Sequence, residues 1–391
     1  MHRSQQAKTT ADVVQERRSE PALARITGSG DRQTPLQFVT LSTPALAELE
    51  PQALGLTYWF DTDDAAAPYA VGVRFTGTRL DVIGKPGPKD SFQVVAKLDK
   101  VLPRTGRVAL THRITGKNPG LWKVAADGLV IPPGGDRSAA RHLPRATGTG
   151  HTTYAPVAGI RAPGVVLGAW PALVGLGVVA ALVAQSVLSR AHGLAPGRVL
   201  ALGLLASVVG LVGAKVYYRL THLTEKGRLL VTGMSVQGFV VAAVATFLAG
   251  GLAWSVPLGH LLDTTVPALL IGQAIGRLGC FFGGCCVGLP TASRWGLWSS
   301  DRRVGQRRIP VQLMESTVAA VLAALTFVVV LQGPPAVDGL VFVAGFGAYT
   351  LARQLLFPLR GLPRKTAHGR QVTLVVTFVA AVGSTVALLV T

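Results

Sequence analysis

From residue 164 to the C-terminus, the chain is a succession of apolar runs too long and too numerous for a water-soluble core. A helix needs about 20 predominantly apolar residues to cross the hydrocarbon of a bilayer, and about seven runs reach that length. They lie near 164–189, 197–218, 230–252, 257–281, 311–332, 336–357 and 371–391. Backbone in lipid must satisfy its own hydrogen bonds, so the runs are expected to be helices and the region a polytopic bundle. The fourth and sixth runs carry glycine and polar residues inside them, a pattern that suits helices packed around a cavity. Composition agrees: 49% of residues are hydrophobic and 15% charged, with a mean hydropathy of +0.43. The 38 Lys and Arg outnumber the 19 Asp and Glu. Beyond residue 163 most of the basic residues stand in short loops between apolar runs, not on a basic helix or an aromatic-laced patch. They point to anionic lipid headgroups and away from nucleic acid.

The first third of the chain follows a different rule. Residues 1–35 are polar, without the apolar core of a secretory signal, and read as a disordered tail. Over 36–131 short runs alternate apolar and polar residues: V-G-V-R-F-T sets Val71, Val73 and Phe75 on one face of a strand. Similar runs are separated by G-K-P-G-P-K-D, P-R-T-G and T-G-K-N-P-G, so a small all-β, immunoglobulin-like sandwich is expected, with Trp59 and Trp122 in its core. Asp61 to Asp64 lack the spacing of a calcium loop and read as a turn. Residues 132–163, rich in Gly, Pro, Thr and Arg, read as a linker to a membrane domain at 164–391. Basic residues gather on the side of that linker: Arg161, Arg219, Lys226, Arg228, the Arg294–Arg308 loop, and Arg360 to Arg370. By the positive-inside rule that side is cytoplasmic.

The stretch from Asp263 to Glu315 carries the chemistry. An arginine, Arg277, ends one apolar run; C-F-F-G-G-C-C-V-G-L-P turns the chain; a basic loop with Trp295 and Trp298 follows; Glu315 opens the next run. Ionisable groups on lipid-length helices are costly and usually face a protein interior or a polar cavity, so Arg277 and Glu315 are the first candidates for a site. The bland role for Arg277 is an ion pair with Glu315 or Asp263. Cys280, Cys285 and Cys286 are too few for a disulfide framework. Zinc takes four ligands and no histidine lies at close spacing, so neither metal nor cofactor is expected. Three small, weakly polar side chains at a tight helix turn are the plain reading; the alternative is a thiol whose pKa Arg277 lowers, acting as an acyl or lipid carrier. Trp295 and Trp298 read as interface anchors and the loop arginines as headgroup contacts.

These residues also carry a resemblance. Asp263, Pro267, Arg277, Gly279, Phe281 and Gly288 fall where the signature of the prolipoprotein diacylglyceryl transferase family has the same types. G-M-S-V-Q-G at Gly233–Gly238 is similar to its G-M-S-x-H-G, I-P-V-Q-L-M-E at Ile309–Glu315 to its H-P-S-Q-L-Y-E, and G-A-K-V-Y-Y at Gly213–Tyr218 to its G-G-R-x-x-Y. The resemblance covers 164–391 and makes the chain a divergent member with an extra N-terminal β-rich domain. It implies transfer of diacylglyceryl from phosphatidylglycerol, or a similar anionic phospholipid, to the cysteine thiol of a prolipoprotein signal peptide. It also implies a multi-pass protein of the plasma (inner) membrane with its N-terminus outside, against the charge rule.

Carried over position by position, the resemblance makes Arg277, Glu315 and Gln237 catalytic. Arg277, Gly288, Lys215, Tyr218, Arg353, Cys280 and Cys285 would bind substrate. Gln237 replaces the family's histidine with an amide that takes no proton near neutral pH. Cys280 and Cys285 replace an asparagine and a glutamate, Phe346 a tyrosine, and Thr350 an arginine, with Arg353 about one helical turn on. These departures keep a second reading open: a lipid-binding membrane protein of the same fold with altered or lost catalysis.

Overall fold

The computed structural model describes residues 35–39, 49–65, 67–133, 140–221, 234–361 and 368–390. The tail expected over 1–35 lies, Pro35 apart, outside the described residues.

Two antiparallel sheets pack face to face in the N-terminal part. One contains β1 (Leu36–Phe38), β2 (Gln52–Asp61) and β5 (Arg107–Thr115); the other contains β3 (Tyr69–Arg79), β4 (Ser91–Val101) and β6 (Leu121–Ile131). Alternation does what period-two side chains must do. Val71, Val73 and Phe75 of β3 turn inward against Leu54, Leu56, Tyr58 and Phe60 of β2 and against Trp122 of β6. Trp122 is fully buried, as expected of a core residue. Trp59 is not in the core. It points out of the opposite face of β2, where its ring stacks on Trp298 at 5.7 Å under the Arg107 guanidinium.

The linker expected over 132–163 is corrected in its second half. Residues 141–154 supply β7 (Arg141–His142), β8 (Ala146–His151) and β9 (Thr153–Tyr154), of which β7 and β8 pair with β6 and β9 with β2. A Gly/Thr-rich segment makes edge strands here because long-range pairing, not propensity, supplies the stability. A short helix, α1 (Ala155–Ile160), then leads into the bundle.

Among the described residues, six helices are long and apolar enough to cross a membrane: α2 (Ala169–Ala191), α3 (Pro196–Thr221), α5 (Leu258–Phe282), α6 (Val311–Leu331), α7 (Leu340–Leu356, continued by a 3-10 turn) and α8 (Gly369–Val390). About seven were expected. The third run, 230–252, forms the shorter α4 (Val236–Ala253), whose apolar described part is Gly238–Ala253, and 222–233 lie outside the described residues. The bundle turns large apolar side chains outward along its length, among them Val183, Val208, Leu325, Val375 and Phe378. Soluble proteins do not expose so much contiguous apolar surface. This is a multi-pass membrane protein.

Inside, small residues bring the helices together. A Cβ on Gly177 of α2 would meet the Gly272 carbonyl of α5, and one on Gly213 of α3 the Gly238 carbonyl of α4. Close backbone approach of this kind holds helices where lipid leaves no hydrophobic drive between them.

The basic loop after α5 departs most from expectation. It is a hairpin, β10 (Leu297–Ser300) and β11 (Val304–Arg308), and β11 pairs with β5, giving the sheet order β1-β2-β5-β11-β10. The membrane domain thus contributes two strands to the sandwich. Its arginines contact protein: Arg302 Nε donates to Gly283 O (2.8 Å), Arg303 Nη2 to Lys97 O (2.7 Å) and Arg308 Nη2 to Asp301 Oδ2 (2.8 Å). Trp298 is no membrane anchor, for its Nε1 donates to Arg107 O at 2.9 Å. From β5, Arg113 donates to the carbonyls of Ala158, Arg161 and Arg302 and ties the sandwich to the bundle entrance.

Candidate active site

The helices alternate in direction, so the C-terminal turns of α3, α5 and α7 and the N-terminal turns of α2, α4 and α6 share one end of the bundle. The sandwich docks at that end. Trp170, at the start of α2, lies against Gly279 and Gly283 at the end of α5.

Arg277 stands near the end of α5 and Glu315 in the second turn of α6, both nearly sealed from solvent. Arg277 Nε lies 2.7 Å from Glu315 Oε2 but off the N–H axis, so the contact is an ion pair, not an aligned hydrogen bond. Asp263, the other partner considered for Arg277, is at the far end of α5. The second partner of Glu315 is one the sequence did not suggest: Arg360 Nη1 lies 3.5 Å from Glu315 Oε1, and Arg360 is as deeply buried. Two guanidiniums therefore share one carboxylate.

That count sets the electrostatics. A closed pair in a low-dielectric interior is neutral and offers a ligand little, whereas two cations and one anion leave a net charge of +1. Desolvating a charge costs several kcal/mol or more, so an uncompensated cation favours recruiting an anion. Arg360 Nε is buried and has no hydrogen-bond partner among the described residues.

Glycine and cysteine residues shape the floor. Gly288 is buried where a Cβ would run into the Ile309 carbonyl; its own carbonyl accepts from Arg308 Nη1 (3.3 Å), and its backbone bridges to Arg360. Its role visible here is to let the 288, 309 and 360 backbones meet. Arg277 Nη1 points to Cys280 Sγ at 3.9 Å. The sulfurs of Cys280, Cys285 and Cys286 lie within 4.8 Å of one another.

The other residues singled out from the sequence fall into three groups. Arg353 is half-buried in the last turn of α7 and in no ion pair among the described residues. One turn before it, Tyr349 is buried and its hydroxyl donates to Gln273 Oε1 at 3.2 Å; Phe346 instead stacks on Phe342 in the core. Lys215 and Tyr218 are half-buried near the end of α3, at the same end of the bundle, but no contact joins them to Arg277 among the described residues. Gln237 lies in the first turn of α4, and its side chain is outside the described residues. Gln312 was also missed: its Nε2 donates to Cys285 O at 3.0 Å, while its buried Oε1 has no partner among the described residues.

Comparison with known proteins agrees with this architecture. The family model described as prolipoprotein diacylglyceryl transferase matches residues 160–390. Curated relatives named phosphatidylglycerol–prolipoprotein diacylglyceryl transferase include one from Clostridium tetani, 26% identical over 204 residues, which cover 49% of this chain and 80% of that protein. Others are from Leifsonia xyli subsp. xyli, 31% identical over 36% of this chain, and Rhodococcus jostii, 32% identical over 39%. The matched regions span 46% and 45% of those two proteins, less than half of each. With its bundle, its Arg277–Glu315 pair and a family match over more than half its length, the chain belongs to the prolipoprotein diacylglyceryl transferase family.

Proposed function

We propose that this protein is a diacylglyceryl transferase of the plasma (inner) membrane that takes its lipid from phosphatidylglycerol or a similar anionic phospholipid. The acceptor is the cysteine thiol of a prolipoprotein signal peptide. The observation that carries the reading is the buried excess of one positive charge in the Arg277–Glu315–Arg360 cluster. A phosphodiester supplies the missing anion, and guanidinium forks match its oxygens. Arg277 and Arg360 hold the phosphate, Arg353 assists from α7, and Glu315 keeps the two guanidiniums in place.

In the reaction the acceptor sulfur attacks the glyceryl carbon that bears the phosphate ester. A C–S bond forms, the C–O bond breaks, and its electron pair leaves on glycerol phosphate. Negative charge grows on that leaving group, and fixed cations in a dry site stabilise it at no reorganisation cost. The thiol proton passes to the departing glycerol phosphate, since the amide of Gln237 has no basicity near neutral pH.

Purified protein is incubated with phosphatidylglycerol and a lipobox peptide, and the peptide is weighed by mass spectrometry. The reading expects a diacylglyceryl adduct on the peptide cysteine and free glycerol phosphate. Retention of anionic lipid with no adduct would instead make the chain a lipid-binding member of the fold.

A further inference from the structure

Three sulfurs converge on the floor of the site, and the reaction above uses none of them. Cys280 lies in the last turn of α5; the chain then turns through Gly283 and Gly284, the latter at φ +66°, and Cys286 adopts φ +55°. The turn is fixed from several sides: Cys285 N donates to Cys280 O (3.0 Å), Arg302 Nε to Gly283 O, and Gln312 Nε2 to Cys285 O. A left-handed conformation is unfavourable for a residue with a Cβ, and here it brings a third thiol up to the other two.

We propose that Cys280, Cys285 and Cys286 form a trithiolate site for a thiophilic divalent d10 cation of the zinc class. Metal–sulfur bonds of about 2.3 Å place three sulfurs around one ion roughly 4 Å apart. The trio already lies within 4.8 Å, so a closure of less than an ångström completes the site. All-sulfur donors select zinc-class ions or copper(I) and disfavour magnesium and calcium. Charge decides between the first two. Three thiolates around a divalent ion sum to −1, which the +1 of Arg277, Glu315 and Arg360 cancels; around copper(I) they sum to −2 and leave a buried excess. Water completes the fourth position, as in zinc sites with three protein ligands. The same positive charge cannot serve both anions, so the metal complex and a lipid phosphate are expected to oppose one another.

The test uses the full chain in detergent, reduced and stripped with a chelator, titrated with cadmium(II) as an optical probe and with zinc(II). The site predicts one ion per chain, a cadmium–thiolate charge-transfer band, and protection of all three thiols from alkylation. Each of Cys280→Ser, Cys285→Ser and Cys286→Ser weakens binding by about 10- to 100-fold or more, since disturbing even outer-sphere partners costs that much. If a serine variant fails to fold, wild-type protein with reversibly capped thiols takes its place: it binds no ion until uncapped. No thiol-dependent ion on reduced wild type, or undiminished binding to the triple serine variant, overturns the proposal.

Discussion

Glu315 and Asp263 are both carboxylates buried in lipid-length helices, at opposite ends of the bundle, and they are satisfied in different ways. Asp263 accepts hydrogen bonds from the backbone amides of Gly339 (2.7 Å) and Phe342 (2.8 Å), capping the start of α7. The unsatisfied amides and dipole of that helix end favour an anion there, and the arrangement closes on itself. Glu315 is held by two guanidiniums and leaves positive charge over. A buried acid met by backbone is an element of the scaffold; one outnumbered by cations marks a place for another anion.

Substitutions test that contrast. The largest effect is expected for Glu315→Gln, which leaves two buried guanidiniums without a counter-ion. Breaking a buried pair costs about 3–5 kcal/mol, to be read as a drop in unfolding stability in detergent. Arg277→Ala leaves Glu315 paired with Arg360, so the fold should persist while transfer falls about 10²–10³-fold, the usual consequence of removing one transition-state donor. Asp263→Ala should do the reverse. It orphans two amides at about 1–3 kcal/mol of stability, with the transfer rate per folded molecule unchanged. A well-folded Asp263→Ala protein without activity would break the comparison. The smallest effect sharpens it at the braced end: Trp298→Ala removes a stack worth about 0.5–1.5 kcal/mol beyond its buried area, and limited proteolysis should then release the sandwich faster.

Much of this architecture was legible in the chain itself. Period-two alternation placed Val71, Val73 and Phe75 on the inner face of β3, and unbroken apolar runs marked the bundle. An arginine and a glutamate on successive lipid-length helices announced their own pairing. Arg360 was not legible, because it lies 45 residues beyond Glu315 in a basic flank that reads as membrane-surface charge. The hairpin over 297–308 escaped for a related reason. Its partner β5 is nearly two hundred residues earlier, and arginines that donate to carbonyls look in sequence like arginines that meet headgroups. The closeness of the three thiols depends on a left-handed turn that no spacing rule encodes.

The most direct measurement concerns Arg360→Gln, which removes the excess charge and leaves the Arg277–Glu315 pair whole. Bound phosphatidylglycerol would be counted by native mass spectrometry of wild type and variant, with diacylglycerol as the phosphate-free control. The account predicts that the variant keeps its fold and its diacylglycerol but loses phosphatidylglycerol and, with it, transfer. Equal retention of phosphatidylglycerol by a folded variant would contradict it.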